Sequence, residues 1–212
     1  MSCLQPRINI GLEITRLLDR IFTTMTPQQF LLNRLTDFTS RNATRNEEAR
    51  RITELVHSSP RAAYRDNFIP GHLTGSAWIV DPTTSKVLLL HHAKLNRWLQ
   101  PGGHADGEYD LAAVALREAQ EESGLTSLVL KDGAIFDLDI HTIPERGHEP
   151  AHLHFDVRYI VIADSSQPPI VSHESHDVAW FDCAAVSQIT TDESVLRMAR
   201  MWQMARAGTQ GF

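Results

Sequence analysis

The chain has 212 residues, with 20 Lys+Arg against 26 Asp+Glu and a formal net charge of −6. That length suits one domain, or one domain with an added arm, and buries a real core. The acidic balance excludes a carrier of nucleic-acid polymers, which needs a basic surface for the phosphate backbone. An acidic protein still acts on phosphates where bound cations reverse the local sign. Cys3 and Cys183 are too few for a disulfide framework, so a reducing, cytoplasmic compartment is the expectation. No apolar run approaches the roughly 20 residues that span a bilayer. Arg7, Glu13, Arg16, Asp19 and Arg20 break up the N-terminal apolar stretches, which argues against a signal peptide and against a membrane partner.

Up to Pro70 the pattern is helical. Ile14, Leu17, Leu18 and Ile21 recur at helix spacing, followed by Phe30, Leu31 and Leu35, then Ala49, Ile52, Leu55 and Val56. Thr26-Pro27 reads as an N-cap followed by a first-turn proline. Met25 reads as an alternative start, which would make residues 1–24 an extension. After Pro70-Gly71 the period changes to two. Thr74 to Val80 and Lys86 to Leu90 form a hairpin around the turn residues Asp81 to Ser85. A Gly/Pro loop, Gln100 to Gly103, leads into a helix from about Asp110 to Ser123, stopped by Gly124.

Two strands follow. From Ile135 to Ile143, Phe136, Leu138 and Ile140 alternate with Asp137, Asp139 and His141. From His152 to Ile162, an apolar set alternates with His152, His154, Asp156 and Arg158. Pro144 to Ala151 joins them as an antiparallel pair, which puts both polar sets on one side of a sheet. Ala179 to Phe181 is a further short strand. Thr191-Asp192 caps a final helix carrying Val195, Leu196, Ala199 and Trp202.

The helix before Gly124 carries the chemistry. Glu118, Glu121 and Glu122 stand at i, i+3 and i+4, so three carboxylates share one face and repel one another. Arg117 offsets part of that repulsion, and a hard divalent cation, Mg²⁺ or Mn²⁺, suits the remaining oxygens. A solvated Glu-rich face is the competing reading for such a string taken alone. The flanks favour a site: a Gly-Gly turn, where backbone approaches a ligand closely, precedes the helix and Gly124 ends it.

This segment resembles the Nudix box, G-x5-E-x7-R-E-U-x-E-E-x-G-U with U aliphatic. Gly103, Arg117, Glu118, Ala119, Glu121, Glu122, Gly124 and Leu125 fall in register. The departure is Tyr109 where the pattern has its early Glu, with Glu108 one place ahead; this puts the loop geometry in question but not the metal-binding trio. The resemblance to the Nudix hydrolase superfamily implies an α/β fold, an α/β/α sandwich around a mixed sheet. The domain proper would cover residues 71–212. Residues 1–70 would be a helical extension that packs on the domain or mediates a homodimer.

The resemblance further implies Mg²⁺- or Mn²⁺-dependent hydrolysis of a pyrophosphate bond in a nucleoside diphosphate linked to another moiety. Glu118, Glu121 and Glu122 would hold the metals with the backbone carbonyl of Gly102, and Arg117 would orient the carboxylates. The general base is a helix glutamate or Glu174, in the polar loop before Trp180. Family frequency favours ADP-ribose-like nucleotide sugars, a small-molecule partner. A Nudix-fold ligand sensor without catalysis and an isoprenyl diphosphate isomerase are the alternatives.

The chain holds 11 histidines. His152 and His154, with His141 across the strand pair, and Arg158 on the same face, either contact substrate or form a solvated sheet face. His-x-His on a strand also suits zinc, with no third ligand evident. His104, directly after Gly103, is a phosphate-contact candidate. Phe68 and Trp98 are candidates for stacking on a base, Trp98 equally for the core.

Overall fold

The structure, a computed structural model, describes residues 25–208. The helix expected at 14–21, the extension 1–24 and Cys3 lie outside them. Helix α1 (Pro27–Arg41) starts as its sequence requires: Thr26 is the N-cap, its hydroxyl accepts the Gln29 amide, and Pro27 occupies the first turn. A short 3₁₀ turn leads to α2 (Asn46–Ser58), which buries Ala49, Ile52, Leu55 and Val56 along one face.

A seven-stranded mixed sheet follows. Its strands are β1 (Gly71–Asp81), β2 (Lys86–His92), β3 (Arg97–Leu99), β4 (Gly102–His104), β5 (Val129–Ile143), β6 (His152–Ile162) and β7 (Ser175–Asp182). The main path runs β3-β2-β1-β6-β5, with β4 paired to β1 and β7 to β2. The β1–β2 turn is fixed by Asp81, whose carboxylate accepts the Thr83 amide and hydroxyl at 2.8 and 2.6 Å, and by Ser85, which takes the left-handed backbone (φ 66°). Strands β1 and β6 run parallel over ten register pairs, from Gly71↔Leu153 to Val80↔Ile162.

The two faces of the sheet are covered differently. Alternation along β1 sends Leu73, Ala77 and Ile79 into a core shared with α3 (Leu111–Ser123) and with Leu31, Leu35, Ile52 and Leu55 of the N-terminal helices. Trp78 and Val80 point the other way, onto α4 (Glu193–Arg206) with Val195, Met198 and Trp202. The apolar faces of α1 and α2 are therefore spent inside the main core.

Several boundaries and faces differ from the sequence expectations. The segment Gly102–His104, expected as loop, is a strand against Ser76–Thr74. Two glycines give it no local strand propensity, and the close fit against β1 supplies the order instead. The regular alternation expected from Phe136 to Ile140 is broken by a register shift between Ile135 and Asp137. Phe136 accordingly joins the α4-side cluster while Leu138 joins the α3 side. The polar sets of β5 and β6 share one side of the sheet, as their alternation requires. They share the face of Thr74 and Ser76, whereas Gly75 faces α3, so they point away from α3.

Candidate active site

Helix α3 begins with the Asp110 side chain accepting the Ala113 amide and ends on Gly124 in the left-handed conformation (φ 67°). Leu111, Val114, Ala115 and Ala119 are buried against the sheet. That packing turns Glu118 and Glu122 toward β4 and leaves Glu121 at the surface. Glu122 is 7% exposed, the Glu118 side chain is 13% exposed, and Glu121 is largely in solvent.

The Gly102 amide donates to Glu122 Oε2 at 2.8 Å. Gly103 lies flat against Glu118: a Cβ there would come within 2.6 Å of Glu118 Oε1, so glycine lets the carboxylate sit this close. Arg117 donates to Glu118 at 2.7 Å and to the His104 carbonyl at 3.1 Å, which ties the helix to the far end of β4. Its 3.7 Å approach to Glu121 is looser.

Burial pushes the Glu122 carboxyl up to about 8, with Glu118, Glu174 and Glu121 adding to the rise against the Gly102 amide. Glu118 is raised as well, first by burial, with Glu121 and Glu174 contributing. Glu174, from the loop before β7, contributes to the rise at both buried carboxyls. Its own backbone carbonyl is fixed by the Ala93 amide at 2.9 Å.

Tyr109, where the box pattern has an acid, is 5% exposed and packs in the α3-side core. Glu108 instead accepts the Asp110 amide at 2.7 Å and steadies the helix start. The departure from the pattern is thus a packing substitution at the loop, away from the trio.

The other expected site residues divide into two groups. Arg158 does not face a substrate cleft. Its side chain is 1% exposed, donates to Asp156 at 2.8 Å and Asp137 at 3.1 Å, and lies 3.2 Å from Asp139. Arg197 from α4 closes the same network on Asp137 and Asp139 at 2.7 and 3.0 Å. Asp137 directly opposite on β5 and Asp156 two residues back on β6 explain why the Arg158 side chain turns inward. Asp156 also accepts from Thr74 and Ser76 of β1 at 3.0 and 2.8 Å, which ties the two parallel strands.

The histidines gather at the other end of this face. Register places His141 opposite His154 and His72 opposite His154, while His104 pairs with Thr74 on the same side. The His104 ring lies 5.1 Å from that of His72 and 5.2 Å from that of His154. His72 was missed from sequence, although it continues the period-two series of Thr74 and Ser76 by one step; the Pro70-Gly71 break masked the strand start.

Phe68 packs edge-on to His152, and Trp98 stacks on His91 with its edge to Phe181. Beside Trp98, a cleft of about 600 Å³ is lined by His91, Arg97, Gln188 and Asp192.

A family model for the NUDIX domain matches residues 72–201. The chain belongs to the NUDIX family. Membership together with the complete carboxylate trio makes it a Nudix pyrophosphohydrolase. Among solved structures, the fold is similar to a Caenorhabditis elegans Ap4A hydrolase binary complex. That match has 18% identity and a TM-score of 0.52, and covers 64% of this chain and 98% of that one. It is also similar to the Escherichia coli dihydroneopterin triphosphate pyrophosphohydrolase, at 16% identity and a TM-score of 0.50, covering 60% and 92%. No curated protein matches the sequence significantly. No helix among the described residues is long and apolar enough to cross a membrane.

Proposed function

We propose that this Nudix protein hydrolyses the pyrophosphate bond of a nucleoside diphosphate linked to a second moiety, with Mg²⁺ or Mn²⁺. The observation that carries the reading is the pair Glu118 and Glu122, drawn out of solvent on one helix face and pressed against the Gly102–Gly103 backbone. Leaving two carboxylates partly desolvated beside Glu121 and Glu174 is costly unless a cation meets them. An all-oxygen donor set of Glu118, Glu121, Glu122 and the Gly102 carbonyl fits a hard divalent ion. When bound, that ion neutralises charge on the phosphate oxygens.

The chain's own residues supply position and proton transfer. Arg117 holds Glu118 and the His104 carbonyl together, so the carboxylates and β4 keep one geometry. Glu174 is the proton acceptor for the attacking water: it lies within electrostatic reach of both buried glutamates, yet stays half-exposed and open to water. His104, whose carbonyl Arg117 holds beside Glu118, stands at the β4 edge of the site. The aromatic wall of the cleft at Trp98 takes the nucleoside. ADP-ribose-like nucleotide sugars are the favoured class, on family frequency.

The test is a panel of nucleoside diphosphate derivatives, including ADP-ribose and dinucleoside polyphosphates, assayed for cleavage with Mg²⁺, Mn²⁺ and EDTA. Metal-dependent cleavage of at least one compound, abolished by EDTA, is expected. No product from any panel member would overturn the hydrolase reading in favour of a silent ligand sensor.

A further inference from the structure

Three imidazoles meet at the starts of β1 and β6. The β1–β6 register sets His72 beside His154, and alternation along β6 adds His152 on the same face. Ring centroids are 4.7 Å apart for His72–His154, 4.9 Å for His72–His152 and 5.3 Å for His152–His154. One nitrogen from each ring lies within 4.8 Å of the other two.

The hydrogen bonding around these rings leaves specific atoms unused. His72 Nδ1 lies 3.4 Å from the Asn67 carbonyl and His152 Nδ1 lies 2.8 Å from the Pro150 carbonyl. A carbonyl only accepts, so each Nδ1 donates its proton there, which in the neutral tautomer leaves Nε2 with the lone pair. His72 is 1% exposed, and its Nε2, like that of His154, is buried with no hydrogen-bond partner. A buried polar atom without a partner costs about 1–3 kcal/mol, so two in one cluster call for an explanation.

The geometry points to a site formed by His72, His152 and His154 for a transition-metal ion of the zinc class, distinct from the carboxylate site on α3. Neutral nitrogen donors suit zinc, whereas Mg²⁺ and Mn²⁺ favour the oxygens of the glutamates. Carbonyls holding Nδ1–H are the usual means of aiming Nε2 at a metal. Zn–N bonds of about 2.0–2.1 Å place tetrahedral donors roughly 3.4 Å apart. Closing from a spread of 4.8 Å requires side-chain rotations of about an ångström, with a water in the fourth position.

Burial lowers the His72 imidazole to about 4, aided by His104 and His152, and lowers His154 further. A metal here would pin β1 to β6 at the end next to His104, one residue beyond Gly103.

The experiment is zinc titration of the EDTA-stripped wild-type chain by calorimetry in excess Mg²⁺, which fills the carboxylate site. X-ray absorption at the zinc edge then reads the ligands. One equivalent of zinc, an imidazole-rich shell and a raised Tm are expected. Glu118→Gln/Glu122→Gln should retain that zinc, and His72→Ala/His154→Ala should weaken it at least about a hundredfold. If the histidine variant does not fold, the wild-type absorption spectrum and the glutamate variant decide. An all-oxygen shell, loss of zinc in the glutamate variant, unchanged affinity in a folded histidine variant, or no binding by the wild type would each overturn the site.

Discussion

The Gly102 amide donates to the Glu122 carboxylate at 2.8 Å across 20 residues of chain. This contact fixes the carboxylate helix to β4. Glutamine preserves the shape of Glu122 and can still accept that amide, but it removes the charge a cation needs. Glu122→Gln should therefore unfold in urea much like the wild type while turnover falls at least about a hundredfold. Phosphate release at saturating Mg²⁺ is the measurement, and near wild-type activity would remove Glu122 from the metal site.

Without metal, Glu122 imposes a pH dependence of known sign. Its folded carboxyl titrates at about 8 against an ordinary 4.5, so the folded state holds an extra proton between those values. Stability from this group is thus full below about 4.5 and declines as pH rises toward 8, by at most about 1.4 kcal/mol per pH unit. Urea unfolding of EDTA-treated protein should show a shallower decline between about pH 6 and 8 in Glu122→Gln than in wild type.

Gly103 has a steric reason to be glycine. In Gly103→Ala the new methyl meets the Glu118 carboxylate, a flexible group that moves aside. The expected result is a small change in Tm and a fall in kcat of about tenfold or more, since a carboxylate displaced by about 1 Å no longer sits in register. Steady-state kinetics beside thermal melting separates the two effects.

Arg158 is the opposite case, a residue of stability. Arg158→Leu leaves Asp137, Asp139 and Asp156 short of their buried cation. Breaking such a network costs about 3–5 kcal/mol. Denaturant unfolding should show that loss, with KM for any substrate found above unchanged in the protein that remains folded.

The N-terminal helices should unfold with the sheet. Ile52 is fully buried in the cluster that includes Leu73 and Val114, so Ile52→Ala is expected to cost about 2–5 kcal/mol. One cooperative transition, with helix and tryptophan signals moving together, is the result expected. Two separate transitions would show the pair to be an appendage.

Local rules made α1, α3 and β6 legible. Thr26-Pro27, Asp110 with Gly124, and the strict alternation from His152 to Ile162 each carry their own boundary. The carboxylate trio was readable because helix spacing alone places it on one face. Features set by distant partners were not legible. Strand β4 exists through its fit to β1, the Phe136 reversal depends on a register shift, and Arg158 is neutralised by Asp137 and Asp139 from the neighbouring strand. The histidine group is the sharpest instance: His-x-His was visible on β6, but its third member, His72, stands 82 residues from His154 and is found only through parallel pairing.

That parallel pairing also sets an order of events. A strand cannot be completed before its partner exists, and here β1 leaves the ribosome about 80 residues ahead of β6. Non-local pairing of this kind slows folding because loop closure precedes any reward. Helix α3 and the Gly-Gly strand emerge within that interval, and Asp156, which Thr74 and Ser76 both need, arrives at its end. The nascent chain therefore holds the three helix glutamates well before it holds the scaffold that aims them. Maturation of activity during synthesis should track the emergence of β6, and of Glu174 behind it, rather than that of the helix.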